Sequence, residues 1–362
     1  MNEQRLSLLR KKLKENYLDA FILFNKEYNN RPNVQYLSAF TGSYCILLIT
    51  LKEQFIISDA RYFDQVKEES EFILIKQMNK NPWPHLDKIF KNKNIENLGF
   101  ASNTLNVNNF LELKKKNIKL KGFDRLIMKM RSVKDENEIK LIKTACEIAS
   151  DAFGKFYKRI KIGMKESDLA AELTYEMRKL GAEKPVKGHF VVASGKRGQR
   201  PHGVFTDKKI EDGDMITFDF GVVYKGYVSD ITRTVGIGNV SKKMKEIYQI
   251  VLEAQKKTIS LASSKYTGES LDSVARTYIE EKDYGEYFTH STGHGIGLEI
   301  HELPMVNQRN PEILAENSVV TVEPGIYIPD LGGVRIEDDI VIKNDGCEVL
   351  SSARKDLVIV DA

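Results

Sequence analysis

Residues 214–235 read DMITFDFGVVYKGYVSDITRTV, and this stretch decides the fold class. Ile216, Phe218 and Phe220 alternate with Thr217 and Asp219, the period of two that sends successive side chains to opposite faces of a strand. The alternation resumes from Gly226 to Val235, with Val228, Asp230, Thr232 and Thr234 sharing a face. Lys225-Gly226 is turn material, so an antiparallel hairpin is expected. Pairing about Tyr224-Lys225 sets Asp219 opposite Asp230, with Cβ atoms roughly 4.5–5.5 Å apart. Two ionised carboxylates at that distance repel and call for a shared proton or a cation. In another register, one Asp would face water instead.

A second acidic pair follows. Ser318 to Glu323 reads as a strand with Thr321 and Glu323 on one face. Val334 to Ile342 reads as another, with Arg335, Glu337 and Asp339 opposite Ile336 and Ile340, and Pro324-Gly325 and Gly332-Gly333 mark bends between them. Between the hairpins lies HSTGHGIGLEIHE, residues 290–302, with imidazoles at His290, His294 and His301. Glycines at 293, 295 and 297 oppose a helix and favour a close-approach segment that presents those rings. Two Asp, two Glu and one His suit two divalent ions bridged by carboxylates. Oxygen-rich ligation favours Mn, with Co or Zn as alternatives.

Working outward, each hairpin is preceded by a pair of amphipathic helices. Ser132 and Asp135 form a helix-start pattern, after which Ile139, Ile142, Ala145, Ala149, Ala152 and Phe156 recur at helical spacing. A second helix carries Leu169, Leu173, Met177 and Leu180 and stops at Gly181. The order repeats about a hundred residues on, from Ser241 (Met244, Ile247, Val251, Ala254) and then from Thr267 (Leu271, Val274, Ala275, Tyr278). Two related halves forming one α+β domain over residues 131–362 are expected.

Residues 1–130 alternate strands and helices, with apolar β-type runs at Ala20–Phe24, Tyr44–Leu51, Phe55–Ile57 and Phe72–Ile75 and a charged helical segment at Ala60–Glu69. A smaller α/β domain is expected there, and 362 residues agree with two domains. Asn81-Pro82-Trp83-Pro84 is read as a turn, and Lys114-Lys115-Lys116 as a solvated helix end. The opening residues read as an amphipathic helix through Leu6, Leu9, Leu13 and Leu18, with Glu3 and Glu15 against a transit peptide.

The longest apolar run, Tyr44 to Ile49, is far short of the ~18 residues that cross a bilayer, so no membrane partner is expected. Fifty-five basic against 51 acidic residues leave a formal charge of +4, too little to imply nucleic acid. Cys45, Cys146 and Cys347 are isolated among apolar neighbours, which fits reduced thiols in a cytoplasmic protein. Five of the six histidines fall between His189 and His301, where the chemistry is expected.

With these motifs in order, the chain resembles the creatinase/aminopeptidase P/prolidase group of metallopeptidases. The residues that carry the likeness are Pro201-His202-Gly203, Asp219-Phe220-Gly221, Ser229-Asp230-Ile231-Thr232-Arg233-Thr234, His290 to Gly297, Thr321 to Tyr327 and Gly333 to Asp338. Tyr36 to Ser43 and Asp59-Ala60-Arg61-Tyr62 look like that group's first domain. The resemblance implies a pita-bread catalytic domain with pseudo-two-fold halves. It implies that Asp219 holds one metal, that Asp230 and Glu337 bridge both, and that His294 and Glu323 hold the second. Glu323 would accept a proton from the attacking bridging water. His202 and His301 would contact substrate and intermediate, and His290 would line the pocket after the cut. Arg335 and Tyr327 would orient the carboxylates, with Arg335 also counted among substrate-binding residues.

The expected activity is an Xaa-Pro aminopeptidase that releases the N-terminal residue from peptides with proline second. The alternative is an Xaa-Pro dipeptidase (prolidase). A bond before proline lacks an N–H, so a dedicated ring pocket is required. A methionine aminopeptidase fits less well, because it normally lacks the first domain and the arginine at 335. A scaffold that keeps the fold without activity would have lost ligands, and none is lost. A homodimer is expected from the family. Two loops depart from its pattern: Lys187-Gly188-His189-Phe190, and the basic Ser194 to Arg200. Arg197 or Arg200 would favour an acidic residue or a short peptide's C-terminal carboxylate if that loop rims the cleft; otherwise it is a solvent-exposed loop.

Overall fold

The computed structural model describes residues 2–186 and 190–361. The departing loop at Lys187-Gly188-His189 lies outside the described residues. The chain divides into two compact units, Met1–Arg131 and Ser132–Ala362.

The first unit is a six-stranded mixed sheet in the order 73–77, 54–59, 44–50, 20–26, 97–101, 119–123. Its centre is two antiparallel pairings, Ala20–Lys26 with Tyr44–Thr50 and the latter with Gln54–Asp59; the outer strands add in parallel. The strands Asn97–Ala101 and Lys119–Phe123 were not expected from the sequence. Each is short and holds a glycine, and a Cβ at Gly99 would lie 2.8 Å from the Phe21 ring, so close packing replaces the alternating pattern. Leu6, Leu9 and Leu13 are buried along the helix Asn2–Glu15, while Leu18 is buried just beyond it. Trp83 opens the helix Trp83–Asn92 rather than standing in a turn, and its ring lies 5.9 Å from that of Phe24.

In the second unit the first helix pair, Glu136–Phe156 and Glu166–Lys179, covers strands 191–194, 215–220 and 231–237. Phe153 stacks on Phe220 at 5.1 Å and Phe156 meets Phe218 edge-on. Full burial of such a ring contributes ~1.5–3 kcal/mol. The second pair, Lys242–Leu261 and Gly268–Glu280, precedes the sheet ordered 302–306, 293–295, 319–322, 338–343, 346–349. The repeated order of helix pair and sheet is that of the pita-bread fold.

Three expectations are corrected. Asp135, not Ser132, caps the first long helix: its side chain accepts from the Asn137 and Glu138 N–H groups at 3.0 Å, and Glu138 accepts from the Asp135 N–H at 3.0 Å. Residues 133–134 are drawn into extended pairing with Ser318 and Asn317, which delays the start. Asp219 pairs with Thr232, not Asp230. The turn centres on Lys225-Gly226, both with positive φ (48° and 82°), which shifts every partner by two. Finally, residues 334–342 split between two sheets. Gly332–Arg335 pairs with Gly325–Ile328, and Asp338–Lys343 pairs with Val319–Val322, so Gly325, Gly332 and Gly333 lie in strands and not in bends.

Candidate metal centre

The sheet edges bring three donors together. One ligand atom each from Asp230, His294 and Glu337 lies within 4.8 Å of the others, and all three residues are buried. Asp230 sits in the break between strands 227–228 and 231–237, so its side chain leaves the ladder and faces inward. Its N–H donates to Asp339 Oδ2 at 2.9 Å, and that oxygen also accepts from Cys146 Sγ at 3.1 Å. Burial, joined by the nearby charge of Glu337, pushes the Asp339 carboxyl well above the usual range despite that backbone donor.

The His294 ring has a defined role for each nitrogen. Nδ1 lies 3.1 Å from the Gly295 carbonyl, which only accepts, so Nδ1 carries the proton. Nε2 then presents a lone pair 3.3 Å from Glu323 Oε1 and 3.8 Å from Asp230 Oδ2. A lone pair aimed at two carboxylates is stable with a cation or a proton between them. The oxygen-rich, single-imidazole donor set fits a divalent ion. Thr321 steadies this corner, donating to Glu323 Oε1 at 3.1 Å and accepting from the His294 N–H at 3.1 Å. Glu323 follows the strand Val319–Val322, and its N–H donates to the Thr292 carbonyl at 2.8 Å.

Asp219 joins through Arg335. The guanidinium, 3% exposed, donates to Asp219 Oδ2 (2.8 Å), Thr232 Oγ1 (3.0 Å), the Tyr327 hydroxyl (2.7 Å) and the Pro201 carbonyl (3.2 Å). Thr232 in turn donates to Glu337 Oε2 at 2.6 Å. One arginine therefore orients two acids, and its Nε, Nη1 and Nη2 are all engaged within the protein. These contacts let Arg335 orient its neighbours. Burial opposes its charge, but Tyr327, Asp219, Glu323 and Glu337 outweigh this and raise its pKa.

His290 and Tyr327 complete a directional chain. His290 Nδ1 donates to the Ser291 carbonyl at 2.8 Å, so Nε2 accepts from the Tyr327 hydroxyl at 2.9 Å while that hydroxyl accepts from Arg335. Burial and the Arg335 charge lower His290 from 6.5 to about 4, and burial raises Tyr327 to about 12. A histidine NMR titration is expected to leave the His290 ring neutral from pH 8 to pH 5. Because the unfolded ring takes up a proton near 6.5 and the folded one near 4, this group's contribution to stability is full above 6.5 and declines as pH falls towards about 4. A ring that titrates near 6.5 in the folded protein contradicts the chain of donors.

His301 is exposed, its ring centroid 4.3 Å from that of His294. His202 is exposed on the loop whose Pro201 carbonyl meets Arg335. Arg197 is half-buried and engaged within the protein: Nε lies 3.1 Å from Glu166 Oε2 and Nη2 donates to the Val204 carbonyl at 2.5 Å. Arg200 on the same loop is exposed.

Several supporting residues had no role in the sequence reading. Thr232 and Thr321 shared strand faces with the acids, a signal that alternation already held. Arg233 donates to the carbonyls of Glu337 (2.6 Å) and Ala353 (2.6 Å) and pairs with Asp338 at 2.7 Å. Asp272 binds the Thr292 N–H at 3.0 Å and pairs with Arg276, which holds the carbonyls of Phe288 and His290. The i,i+4 spacing of Asp272 and Arg276 is visible in the sequence, but the segment around Thr292 that they hold is not.

The sequence profile of metallopeptidase family M24 matches residues 140–344, and that of the creatinase/prolidase N-terminal domain matches residues 5–133. The chain is 43% identical over 350 residues to a Pyrococcus horikoshii protein named Xaa-Pro dipeptidase, covering 95% of each. Among solved structures it is similar to an Xaa-Pro dipeptidase from Bacillus anthracis (TM-score 0.95, 40% identity, 99% of this chain and 100% of that one). It is similar also to an X-Pro aminopeptidase from Thermotoga maritima (TM-score 0.91, 42% identity, 95% and 98%).

Proposed function

The chain belongs to metallopeptidase family M24, and from that premise we propose that it is an Xaa-Pro dipeptidase, a prolidase that cleaves dipeptides with proline after the scissile bond. Family membership makes it a hydrolase of peptides. The observation that carries the reading is the convergence of Asp230, His294 and Glu337 within 4.8 Å, in a chain whose similarity to a protein named Xaa-Pro dipeptidase runs nearly end to end. The aminopeptidase expectation becomes the second reading, favoured by the Thermotoga maritima structure.

In this reading Asp219, Asp230, His294, Glu323 and Glu337 hold two divalent ions, Mn before Co or Zn given the oxygen-rich donors. When bound, such ions supply Lewis acidity and lower the pKa of water. Asp230 and Glu337 would be among the acids that hold the ions, and Arg335 keeps Asp219 aimed while Thr232 keeps Glu337 aimed. Glu323, held by Thr321, would take the proton from the attacking water and return it to the prolyl nitrogen as the C–N bond breaks. The rings of His202 and His301, both exposed, touch the substrate and donate to the oxygen that gains charge. Neutral His290, locked by Tyr327, walls the proline pocket without adding charge. A cytoplasmic setting is taken from the isolated cysteines and a homodimer from the family resemblance, and light scattering tests the dimer.

The decisive assay is hydrolysis of Xaa-Pro dipeptides and Xaa-Pro-Xaa tripeptides by chelator-stripped protein, with and without Mn, Co or Zn. Cleavage that returns with metal and is confined to dipeptides is expected. Equal release from tripeptides shifts the assignment to the aminopeptidase. No cleavage of either removes the Xaa-Pro substrate.

A further inference from the structure

We propose that Glu166 is a positioning residue for the reaction: its buried carboxylate ties together both ends of the Ser194–Thr206 loop and so sets where the His202 imidazole stands. The part His202 plays in catalysis rests on the peptidase reading above; the clamp itself is independent of it.

Glu166 is the first residue of the helix Glu166–Lys179 and is 0% exposed. Its Oε1 accepts from the Ser194 N–H and hydroxyl, both at 2.8 Å. Its Oε2 accepts from the Thr206 N–H at 2.9 Å and hydroxyl at 2.8 Å, and Arg197 Nε bridges both oxygens at 3.2 and 3.1 Å. All of these donors come from the loop. Charge-assisted bonds of this kind are about twice as strong as neutral ones, and a buried carboxylate with all its lone pairs used is rigid. The helix backbone joins in, since the N–H groups of Glu166 and Ser167 donate to the carbonyls of Lys208 and Thr206.

The middle of the loop is held by main-chain contacts. Pro201 offers its carbonyl to Arg335, and Gly198 packs so tightly on Gly333 that a Cβ at Gly333 would lie 2.2 Å from the Gly198 oxygen. Gly203 N–H donates to the Arg200 carbonyl at 3.0 Å. His202 itself is exposed. Its position is therefore inherited from the backbone, and the backbone is anchored at residues 194, 197 and 206 by one acid. A displacement of about 1 Å in a group that touches substrate costs about a hundredfold in rate.

The test uses the full-length protein with labelled histidine, loaded with diamagnetic Zn for the spectra and with Mn for the kinetics. Glu166→Gln is expected to lower kcat/KM on an Ala-Pro dipeptide by about a hundredfold, mainly through kcat. Thr206→Ala, which removes one donor and keeps the Arg197 pair, should lower it less. In a His202→Ala background Glu166→Gln should cost nothing further, because the two act as a unit. The His202 resonance should shift or broaden in both variants while those of His290 and His294 hold. An unmoved His202 resonance, or an equal kinetic loss with and without His202, overturns the proposal. If Glu166→Gln does not fold, Thr206→Ala is read by the same criteria. If the wild-type protein cleaves no Xaa-Pro peptide, the substrate reading falls, and the His202 resonance still decides the clamp.

Discussion

Glu337→Gln protein is expected to lose Xaa-Pro cleavage by about a thousandfold or more and to retain less metal than wild type after loading. The main chain at this position is fixed independently of the side chain. The Glu337 N–H donates to the Thr232 carbonyl at 3.1 Å, and Arg233 holds the Glu337 carbonyl at 2.6 Å. The substitution therefore changes chemistry and not placement: an amide brings a neutral donor where Asp230 and the His294 lone pair require a positive partner. Metal content by mass spectrometry and kcat on dipeptides check it together. A milder companion is Thr232→Val, which removes the hydroxyl at 2.6 Å from Glu337 and should cost about 10–100-fold. A Glu337→Gln protein that keeps both metal and activity would remove Glu337 from the proposed donor set.

Asp338→Ala is expected to be the largest single loss of stability, ~3–5 kcal/mol. Asp338 is fully buried and meets Arg233 at 2.7 Å, Gln255 at 2.7 Å and Lys355 at 2.8 Å. Removing it leaves the Arg233 guanidinium, one of the largest fully buried side chains, without its counter-charge. At 2–4 °C per kcal/mol this lowers Tm by roughly 6–20 °C in calorimetry at pH 7. The sign with pH follows from the carboxyl. Burial would raise its pKa, but Arg233 and Lys355 overcome this and hold it below the ordinary 3.8. Its contribution is thus complete above that value and disappears as pH falls through the lower folded pKa. The wild-type protein should lose stability on the acid side more steeply than the variant. Parallel acid limbs would show that the Asp338 charge contributes little.

Much of this was legible in the chain. The alternation about Asp219 and Asp230, the glycines around His294 and the helix pairs after Asp135 and Ser241 are local patterns, repeating every two to four residues, so neighbouring residues suffice to read them. The Ser241 and Thr267 caps lie where the pattern placed them, each accepting from an N–H three residues on. The short strands at 97–101 and 119–123 escaped because their glycines answer to a partner's ring and not to a period.

What the sequence by itself determined is the alternation that carries the acids, the helix pairs and the order of the motifs; the five candidate ligands, with His202, His290, His301, Arg335 and Tyr327, follow from the family resemblance those motifs carry. What only the tertiary structure decided is how they engage. The hairpin register depended on the two positive-φ residues of one turn, and it moved Asp219 from Asp230 to Thr232. Arg335 reaches Asp219 across 116 positions, Thr232 reaches Glu337 across 105, and Glu166 reaches Thr206 across 40. A side chain's type and periodicity are properties of its own segment. Its hydrogen-bond partner is whichever group the packing of distant segments leaves within 3 Å, and that is settled only when the whole sheet and helix assembly closes.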